Sequence, residues 1–311
     1  MSFVPMQRFG SPYFYRQIFT KGYVMGGYKD GSPWNTVNKA TYSTETMTNQ
    51  GNIMTLAGSY TDGQCSPIRS YIWSLTNTHS SPTVTSNWMA HSNDTTCTAD
   101  SSMDMKVARH DFVAPSYPDR YALLTGGTTS TCDRFDYWTE VMTATGDSGF
   151  STNYGANVYS EDTGWVMAEG TGRKVLMPTE TWSAYSMGIT IPVHTKGLSS
   201  KTGYGFWIGH HTTTPGEGRY IDRLTYANDT NSIHWSDQHA SAGEFGQTET
   251  NNAVGQEKGY ILGGYNHGTN GQNNLSQTLV YSTGTCSYVS GLNLIGHNGA
   301  SSGAGTQGGG A

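Results

Sequence analysis

Charge and cysteine are both scarce in this sequence, and both shortages narrow the classes of protein it can belong to. Of its 311 residues, 17 are Lys or Arg and 23 are Asp or Glu, and the basic residues are dispersed. A dispersed set lacks the basic patch of a nucleic-acid binder, so nucleic acid is not an expected partner. The four cysteines are Cys65, Cys97, Cys132 and Cys286, with no Cys-x-x-Cys spacing, so no metal site is predicted.

Long apolar runs and catalytic motifs are also missing. No stretch reaches the length that a membrane-spanning helix needs, so no membrane insertion is expected. Residues 1–8 lack a basic region followed by an apolar one, so no signal peptide is predicted. No phosphate-binding Gly-x-x-x-x-Gly-Lys-Ser/Thr loop is present, and no Ser-His-Asp or paired-carboxylate arrangement can be assigned. We therefore expect neither a cofactor nor an enzymatic activity.

Glycine and tyrosine, in contrast, are abundant. The chain contains 40 glycines and 20 tyrosines in a mainly uncharged polar background. Glycine is typical of tight turns, and aromatic residues favour strands. The composition thus predicts a folded all-β protein.

A short apolar strand that ends in glycine recurs six times. The copies end at Gly27, Gly58, Gly127, Gly170, Gly209 and Gly264. A large side chain follows each glycine after 15 or 17 residues, at Tyr42, Trp73, Met142, Tyr185, Tyr226 and Tyr281. The average distance from one of these glycines to the next is typical of β-propeller blades. We predict a single all-β propeller domain over residues 1–295 with six blades, which start near residues 13, 48, 105, 157, 198 and 247. Seven blades are the alternative.

The chain ends bear on how the ring closes. Residues 13–19 predict an N-terminal strand before the first glycine strand, and residues 287–295 predict a C-terminal strand that completes the last blade. Residues 296–311 are dominated by Gly and Ser and are predicted to form a flexible tail. A Ser/Thr/Asn/Asp-rich insertion within residues 79–108 predicts a surface loop.

These units resemble the Kelch repeat. The third unit resembles it most, with Arg109 before an apolar strand, a second strand ending at Gly127, and then Tyr137 and Trp138. Gly-Gly pairs end three of the six strands, at residues 27, 127 and 264. The resemblance implies a Kelch-like β-propeller.

Two short segments resemble motifs of enzyme families that use propellers. Residues 160–165, Ser-Glu-Asp-Thr-Gly-Trp, resemble a shortened sialidase Asp-box, but the sequence also suits an ordinary hairpin turn. Galactose oxidase uses Kelch blades and a copper held by Tyr and His, and the pair His210 and His211 is the matching candidate. Adjacent histidines in a strand point apart and no Tyr/Cys context accompanies them, so we interpret them as loop residues.

The overall composition resembles that of bacteriophage virion proteins such as tail fibres, neck appendages and decoration proteins. That resemblance implies assembly in the host cytoplasm, location in the virion, and other virion proteins as partners, with a symmetric homo-oligomer compatible with the role. The loops that follow the six glycines are predicted to share one end of the propeller. Their aromatic and polar residues are candidates for binding a partner protein or a host-surface glycan: Trp34, Tyr60, His210, His211, Tyr265 and His267.

The sequence leaves three functions open. The first is a non-enzymatic structural or attachment component of a bacteriophage virion, on the tail, the neck or the capsid surface. The second is a cellular Kelch-type scaffold or a carbohydrate-binding lectin. The third is a glycan-acting enzyme. Propellers serve many unrelated functions, so the fold alone does not choose among them.

Overall fold

The computed structural model describes residues 20–29, 32–58, 61–66, 68–75, 81–117, 120–153, 155–168, 171–186, 195–200, 203–208, 221–234, 247–248, 251–254, 257–266, 271–293 and 304–305. Within these residues the secondary structure is antiparallel strands and short 3-10 turns, at Ser101–Met103, Met177–Thr179 and Ser290–Leu292. No helix in the described part is long and apolar enough to cross a membrane. Six small sheets form a six-bladed β-propeller, which confirms the predicted fold class and blade number.

The strands are short and follow one another in a regular order. In chain order they are β1 (Lys21–Met25), β2 (Tyr28–Lys29), β3 (Ser32–Pro33), β4 (Val37–Thr41), β5 (Thr46–Gly51), β6 (Asp62–Cys65), β7 (Arg69–Trp73), β8 (Ser86–Ala90), β9 (Thr98–Ala99), β10 (Phe112–Val113), β11 (Ser116–Tyr117), β12 (Tyr121–Gly126), β13 (Thr129–Asp136), β14 (Val141–Asp147), β15 (Ala156–Tyr159), β16 (Thr163–Ala168), β17 (Thr171–Leu176), β18 (Thr181–Tyr185), β19 (Lys196–Ser199), β20 (Tyr204–Ile208), β21 (Ile221–Thr225), β22 (Thr230–His234), β23 (Gln247–Thr248), β24 (Asn251–Val254), β25 (Lys258–Asn266), β26 (Gly271–Val280), β27 (Thr285–Tyr288) and β28 (Ala304–Gly305).

Each blade has four strand positions, counted from the propeller axis outwards. Blade 1 is β28-β1-β4-β5, blade 2 is β6-β7-β8-β9, and blade 3 is β10-β12-β13-β14 with β11 also on β12. Blade 4 is β15-β16-β17-β18, blade 5 is β19-β20-β21-β22, and blade 6 is β23-β25-β26-β27 with β24 also on β25. The β2-β3 hairpin lies in the connection between β1 and β4. Stacking such sheets around an axis buries faces that a lone sheet leaves exposed.

The ring is closed by residues from the C-terminal end of the chain. Gly305 and Ala304 pair antiparallel with Val24 and Met25 and occupy the innermost position of blade 1. They lie within residues 296–311, where the sequence predicts a flexible tail, so at these two residues the structure has a strand instead. The inner edge of β1 offers backbone donors and acceptors, and a Gly/Ala segment can pair with them without a side-chain clash. The N-terminal strand predicted at 13–19 lies outside the described residues.

One backbone hydrogen bond recurs in all six blades and fixes which positions are equivalent. The first residue after the third strand donates its N–H to the carbonyl of the residue just before the second strand. The donor–acceptor pairs are Tyr42–Thr20, His91–Ile68, Tyr137–Arg120, Met177–Asp162, Tyr226–Gly203 and Tyr281–Glu257. Tyr42, Tyr226 and Tyr281 therefore hold equivalent positions, as the repeat predicts. Trp73 lies in the second strand of its blade, and Met142 and Tyr185 lie in fourth strands, so those three assignments are corrected.

At each seam between blades, a second-strand residue packs on that hairpin residue of the next blade. The third residue of the second strand is the one that makes the contact. Ring stacks with these centroid separations occupy five seams: Tyr23–His91 at 5.5 Å, Tyr71–Tyr137 at 5.7 Å, Trp165–Tyr226 at 5.0 Å, Phe206–Tyr281 at 6.0 Å and Tyr260–Tyr42 at 4.4 Å. At the remaining seam, Leu123 and Met177 share one apolar cluster. All six seams thus use one geometry with interchangeable side chains.

The residue before each of these second-strand contact residues is small. An added Cβ at Gly205 would lie 2.8 Å from the Cβ of Val158, and one at Gly259 would lie 1.9 Å from Leu198 Cδ2. Val158 and Leu198 belong to the first strand of the preceding blade, which therefore lies directly against this position. The six equivalent residues are Gly22, Ser70, Ala122, Gly164, Gly205 and Gly259.

Ion pairs reinforce five of the six seams. In each, a carboxylate in the hairpin after the third strand accepts from a Lys or Arg of the preceding blade. The pairs are Lys39–Asp94 at 2.9 Å, Arg69–Glu140, Arg134–Glu180 at 2.7 Å, Lys174–Asp229 at 2.5 Å and Lys258–Glu45 at 2.8 Å. At the seam between blades 5 and 6 the hairpin residue is Gly284, with φ +69°, and Arg223 lies over the ring of Tyr204 at 4.8 Å.

The missing carboxylate at that seam gives a first prediction. Gly284→Asp places an acid at a backbone position that Asp229 occupies with φ +55° in blade 5. Gly284→Asn is the matched control, since it differs in charge alone. We expect the Asp variant to be more stable than the Asn variant by about 0.5 kcal/mol at low salt, with the difference lost at high salt. Denaturant unfolding measures this, and equal stabilities at low salt would contradict the equivalence of the six seams.

A second prediction concerns pH and Asp94. Burial alone would raise the pKa of Asp94, but Lys39, Lys21 and Tyr23 outweigh it and lower the pKa below its ordinary value. A carboxyl with a lowered folded-state pKa stabilises the fold above its unfolded-state pKa, and this stabilisation is lost as pH falls through the folded-state pKa. Asp94→Asn should therefore cost about 1 kcal/mol at neutral pH. Unfolding measured from neutral to acid pH should show the two proteins converging, and a constant gap would refute the assignment.

Candidate functional site

The long connections of the propeller gather at one end. Second strands finish at this end, which we call the glycine end, and the opposite end is the turn end. We define the glycine-end face by the described residues of the connections at this end, 26–29, 32–36, 52–58, 74–75, 81–85, 100–111 and 148–153. The turn end has tight hairpins such as 137–140 and 226–229. Long loops on a rigid scaffold are the usual carriers of binding function, so the glycine-end face is the candidate site.

Trp34 is the one predicted binding residue whose side chain the structure describes. It lies at the glycine end, where its N–H donates to the carbonyl of Gly27 at 2.9 Å and its carbonyl accepts from the N–H of Gly58 at 2.9 Å. Its side chain is partly exposed. Tyr265 lies on β25, which extends past Gly264 at the same end. Tyr60, His210, His211 and His267 lie outside the described residues.

Two of the predicted glycine-end loops are strands. The segments after Gly127 and Gly170 were expected to be loops, but β13 begins at Thr129 and β17 begins at Thr171. Blades 3 and 4 have only a two-residue connection between second and third strands at this end, after Gly126 and after Ala168. The face is therefore asymmetric, because the long second-to-third connections belong to blades 1, 2 and 5.

The repeat glycines divide in a similar way. Gly27 and Gly127, with φ values of +128° and +73°, follow second strands as predicted, whereas Gly264, with φ +137°, lies inside β25 at a shift in its pairing register. An added Cβ at Gly127 would lie 2.3 Å from the carbonyl oxygen of His110, so only glycine fits there. Gly58 instead lies in the irregular connection between blades 1 and 2. Gly170 and Gly209 lie outside the described residues.

Ser74 takes the place in blade 2 that the sequence assigned to Gly58. It follows β7 directly and has φ +64°, close to the +72° of Gly26 in blade 1. Its hydroxyl donates to the carbonyl of Arg109 in the crossover to blade 3. This hydrogen bond supports a backbone conformation that glycine would adopt more readily. Because the residue is serine and not glycine, the sequence did not mark it as the end of the second strand of blade 2.

A polar cluster lies at the glycine-end mouth of the axis, and we call Asp62, Gln64, Asn157 and Lys196 the axial cluster. Asp62 Oδ2 accepts from the N–H of Ala114 at 2.9 Å and from Asn157 Nδ2 at 3.3 Å. Gln64 Nε2 donates to the carbonyl of Ala114. Two side chains of blade 2 thereby hold both backbone groups of one residue in blade 3. Sequence analysis missed this cluster, because its members are single polar residues on three different blades.

The charges of the axial cluster are incompletely balanced. Burial raises the pKa of Asp62, and the charge of Lys196 and the N–H groups of Gly63 and Ala114 offset this only in part. Lys196 begins β19 in blade 5, which lies across the ring from blade 2. The innermost strands of blades 4 and 5 are in close contact here, since an added Cβ at Gly197 would lie 1.6 Å from the carbonyl oxygen of Asn157. A buried, under-compensated carboxylate favours a proton or a cation nearby.

Arg109, which carries the resemblance to a Kelch unit, is fully buried and holds the fold together. It donates to the carbonyls of Leu124 and Thr131 and pairs with Asp133 at 3.0 Å. Beside it, His110 Nδ1 lies 2.6 Å from Asp111 Oδ2. Losing one partner of such a buried pair is strongly destabilising, so Arg109 is a structural residue.

The remaining candidate chemistry is structural in the described part of the chain. Within the segment 160–165, residues 160–162 form the turn between β15 and β16 and residues 163–165 begin β16, with Ser160 N–H donating to the carbonyl of Thr163 at 2.8 Å. No group of three or more His, Cys, Asp or Glu side chains among the described residues is placed to hold a metal ion. Burial raises the pKa of the Cys97, Cys132 and Cys286 thiols to about 12. These thiols are therefore protonated at neutral pH and poor nucleophiles.

Comparison with known proteins assigns no family to this chain. No protein-family model and no curated protein matches the sequence. The β-propeller fold is established by the structure, and the resemblances to Kelch repeats and to bacteriophage virion proteins stay predictions.

Proposed function

We propose that the chain is a non-enzymatic binding module of a bacteriophage virion that presents its glycine-end face to a partner protein or to a host-surface glycan. The observation that carries this proposal is a difference between two parts of the molecule. The ring is repetitive and held by equivalent contacts at its seams, whereas the long connections lie at the glycine end. A rigid ring can carry connections of different lengths at one end, and such connections are common carriers of binding residues. Such a division favours recognition, because a rigid ring loses little conformational entropy on binding.

The virion assignment rests on composition. Low charge and abundant Ser, Thr, Gly, Asn and Tyr are the features that resemble tail, neck and decoration proteins. A virion component of this kind assembles in the host cytoplasm and is positioned by other virion proteins. Cross-blade ion pairs and ring stacks at the seams would help such a protein persist outside the cell, because they hold every blade to its neighbours.

A cellular Kelch-type scaffold or a lectin would use the same face. The repeat with Gly-Gly strand ends at residues 27, 127 and 264 supports a Kelch-like ancestry equally for a virion protein and a cellular one. The presence or absence of the protein in virions distinguishes a virion component from a cellular scaffold or lectin. Mass spectrometry of purified virions should detect the chain, and its absence from every virion fraction would leave the cellular role.

The face itself is tested with two tryptophans at opposite ends. Trp34 lies at the glycine end, whereas Trp138 is 72% exposed in a turn-end hairpin. Trp34→Ala should weaken binding of labelled protein to host cells or to arrayed glycans by about tenfold or more, because exposed aromatic anchors dominate recognition. Trp138→Ala is the control and should bind as the parent chain does.

Thermal unfolding of both variants excludes misfolding as the cause of a loss. If Trp138→Ala lost binding while Trp34→Ala kept it, the turn end would be the recognition face and the proposal would be wrong.

A further inference from the structure

The six blades provide an internal comparison for the axial cluster. The innermost residue that pairs with the fifth residue of the second strand is equivalent in every blade. In order from blade 1 to blade 6 these residues are Ala304, Asp62, Val113, Ala156, Lys196 and Asn251. Three blades therefore show that the fold accepts a small apolar residue here. Packing alone therefore does not explain the polar residues at the other three positions.

The neighbouring level of the axis has the same contrast. Gly305, Gly63 and Gly197 pair with the fourth residue of their second strands, while blades 4 and 6 place Asn157 and Asn252 there. Glycine suffices for packing at this level, as the close approach of Gly197 to Asn157 shows. Asn157 thus occupies a level of the axis at which three other blades have glycine.

Two buried oxygens in this cluster lack partners. Gln64 and Asn157 are 0% and 5% exposed, and neither Gln64 Oε1 nor Asn157 Oδ1 has a hydrogen-bond partner within the described part of the chain. Their amide nitrogens are already engaged at Ala114 and at Asp62. Asn157 Nδ2 donates to Asp62 itself, and Gln64 Nε2 donates to Ala114, whose N–H also donates to Asp62. Both amide groups are therefore neighbours of the Asp62 carboxylate. Buried acceptors of this kind are costly unless something donates to them or coordinates them.

We propose that Asp62, Gln64 and Asn157 bind one hard cation of the calcium type on the propeller axis. A carboxylate together with amide carbonyl oxygens is the donor set that such cations prefer, with water completing the shell. Gln64 and Asn157 are almost fully buried, which favours a single small ion over an organic ligand at this position. Asp62 retains partial exposure, which gives the ion a path from the channel.

Lys196 acts as a built-in antagonist of this site. Its positive charge is the one that offsets the burial of Asp62, so it repels a cation that approaches the same carboxylate. Removing Lys196 should therefore strengthen cation binding, whereas removing Asp62 should weaken it. A water-filled axis predicts no such opposite pair of effects.

The experiment titrates the full chain with CaCl2 after treatment with a chelator, using NaCl at matched ionic strength as the control. Isothermal calorimetry should give one ion per chain, and the thermal unfolding midpoint should rise and saturate over the same concentrations. Absence of a saturable calcium effect beyond that of NaCl would overturn the proposal and assign the oxygens to water.

The variants locate the ion. Asp62→Asn should weaken calcium binding by about tenfold or more, since it removes the only carboxylate of the site. Lys196→Met should tighten it by about tenfold. The controls are Asp229→Asn and Lys174→Met, which remove the same charges from a seam ion pair and should leave calcium affinity unchanged.

Asn157→Ala is the second test of the same site if Asp62→Asn does not fold, and it should also weaken binding. Calcium binding unchanged in Asp62→Asn or in Asn157→Ala would place the ion elsewhere and refute the site. The site would also be refuted if Lys174→Met increased calcium affinity as much as Lys196→Met does, because the increase would then come from a long-range charge effect.

Discussion

At every seam of this propeller, one second-strand side chain packs against the first residue after the third strand of the next blade. The rest of the structure depends on this contact. It fixes the position of each second strand relative to the turn-end hairpin of the next blade, because the two partners belong to adjacent blades. It places no restriction on the glycine end, where the connection after β12 is a tight turn and the connection after β20 spans residues 209–220.

Ring closure uses the same contact as the other seams. Tyr260 stacks on Tyr42 at 4.4 Å, and Lys258 pairs with Glu45 at 2.8 Å, so the last blade meets the first as any blade meets its neighbour. The short β28 adds two paired residues to blade 1. Ring stacks contribute about 0.5–1.5 kcal/mol beyond their burial, and exposed ion pairs contribute less. Their main role is therefore to specify the register of one blade on the next, while apolar burial supplies most of the stability.

The architecture was predictable from the sequence because its glycine and aromatic residues recur at blade spacing. Gly27 and Gly127 mark the ends of second strands correctly, since glycine reaches those backbone angles without strain, whereas Gly264 marks a register shift inside β25. Counting forward from glycine failed where the connection length changes. In blade 3 the hairpin residue is Tyr137, only ten positions after Gly127, so a fixed count went past it to Met142. In blade 2, Ser74 replaces the glycine and gives no signal.

The candidate site was less predictable for a physical reason. Residues of the axial cluster come from three blades and meet only because the ring closes, so no local pattern links Asp62 with Asn157 or Lys196. Trp34 was placed at the correct end because the repeat orients every second strand in the same direction. The seams, which hold the ring, and the axial cluster, which lies at its centre, are thus separate features of one repeat.

A double-mutant cycle at the closing seam tests the account most directly. Tyr42→Leu, Tyr260→Leu and the double variant are compared by denaturant unfolding, with Tyr42→Leu and Phe206→Leu as a control cycle on different seams. The account predicts a coupling of about 1 kcal/mol between Tyr42 and Tyr260, and additive losses for Tyr42 and Phe206. Additive losses in both cycles would contradict it, because the first and last blades would then not be joined by this contact.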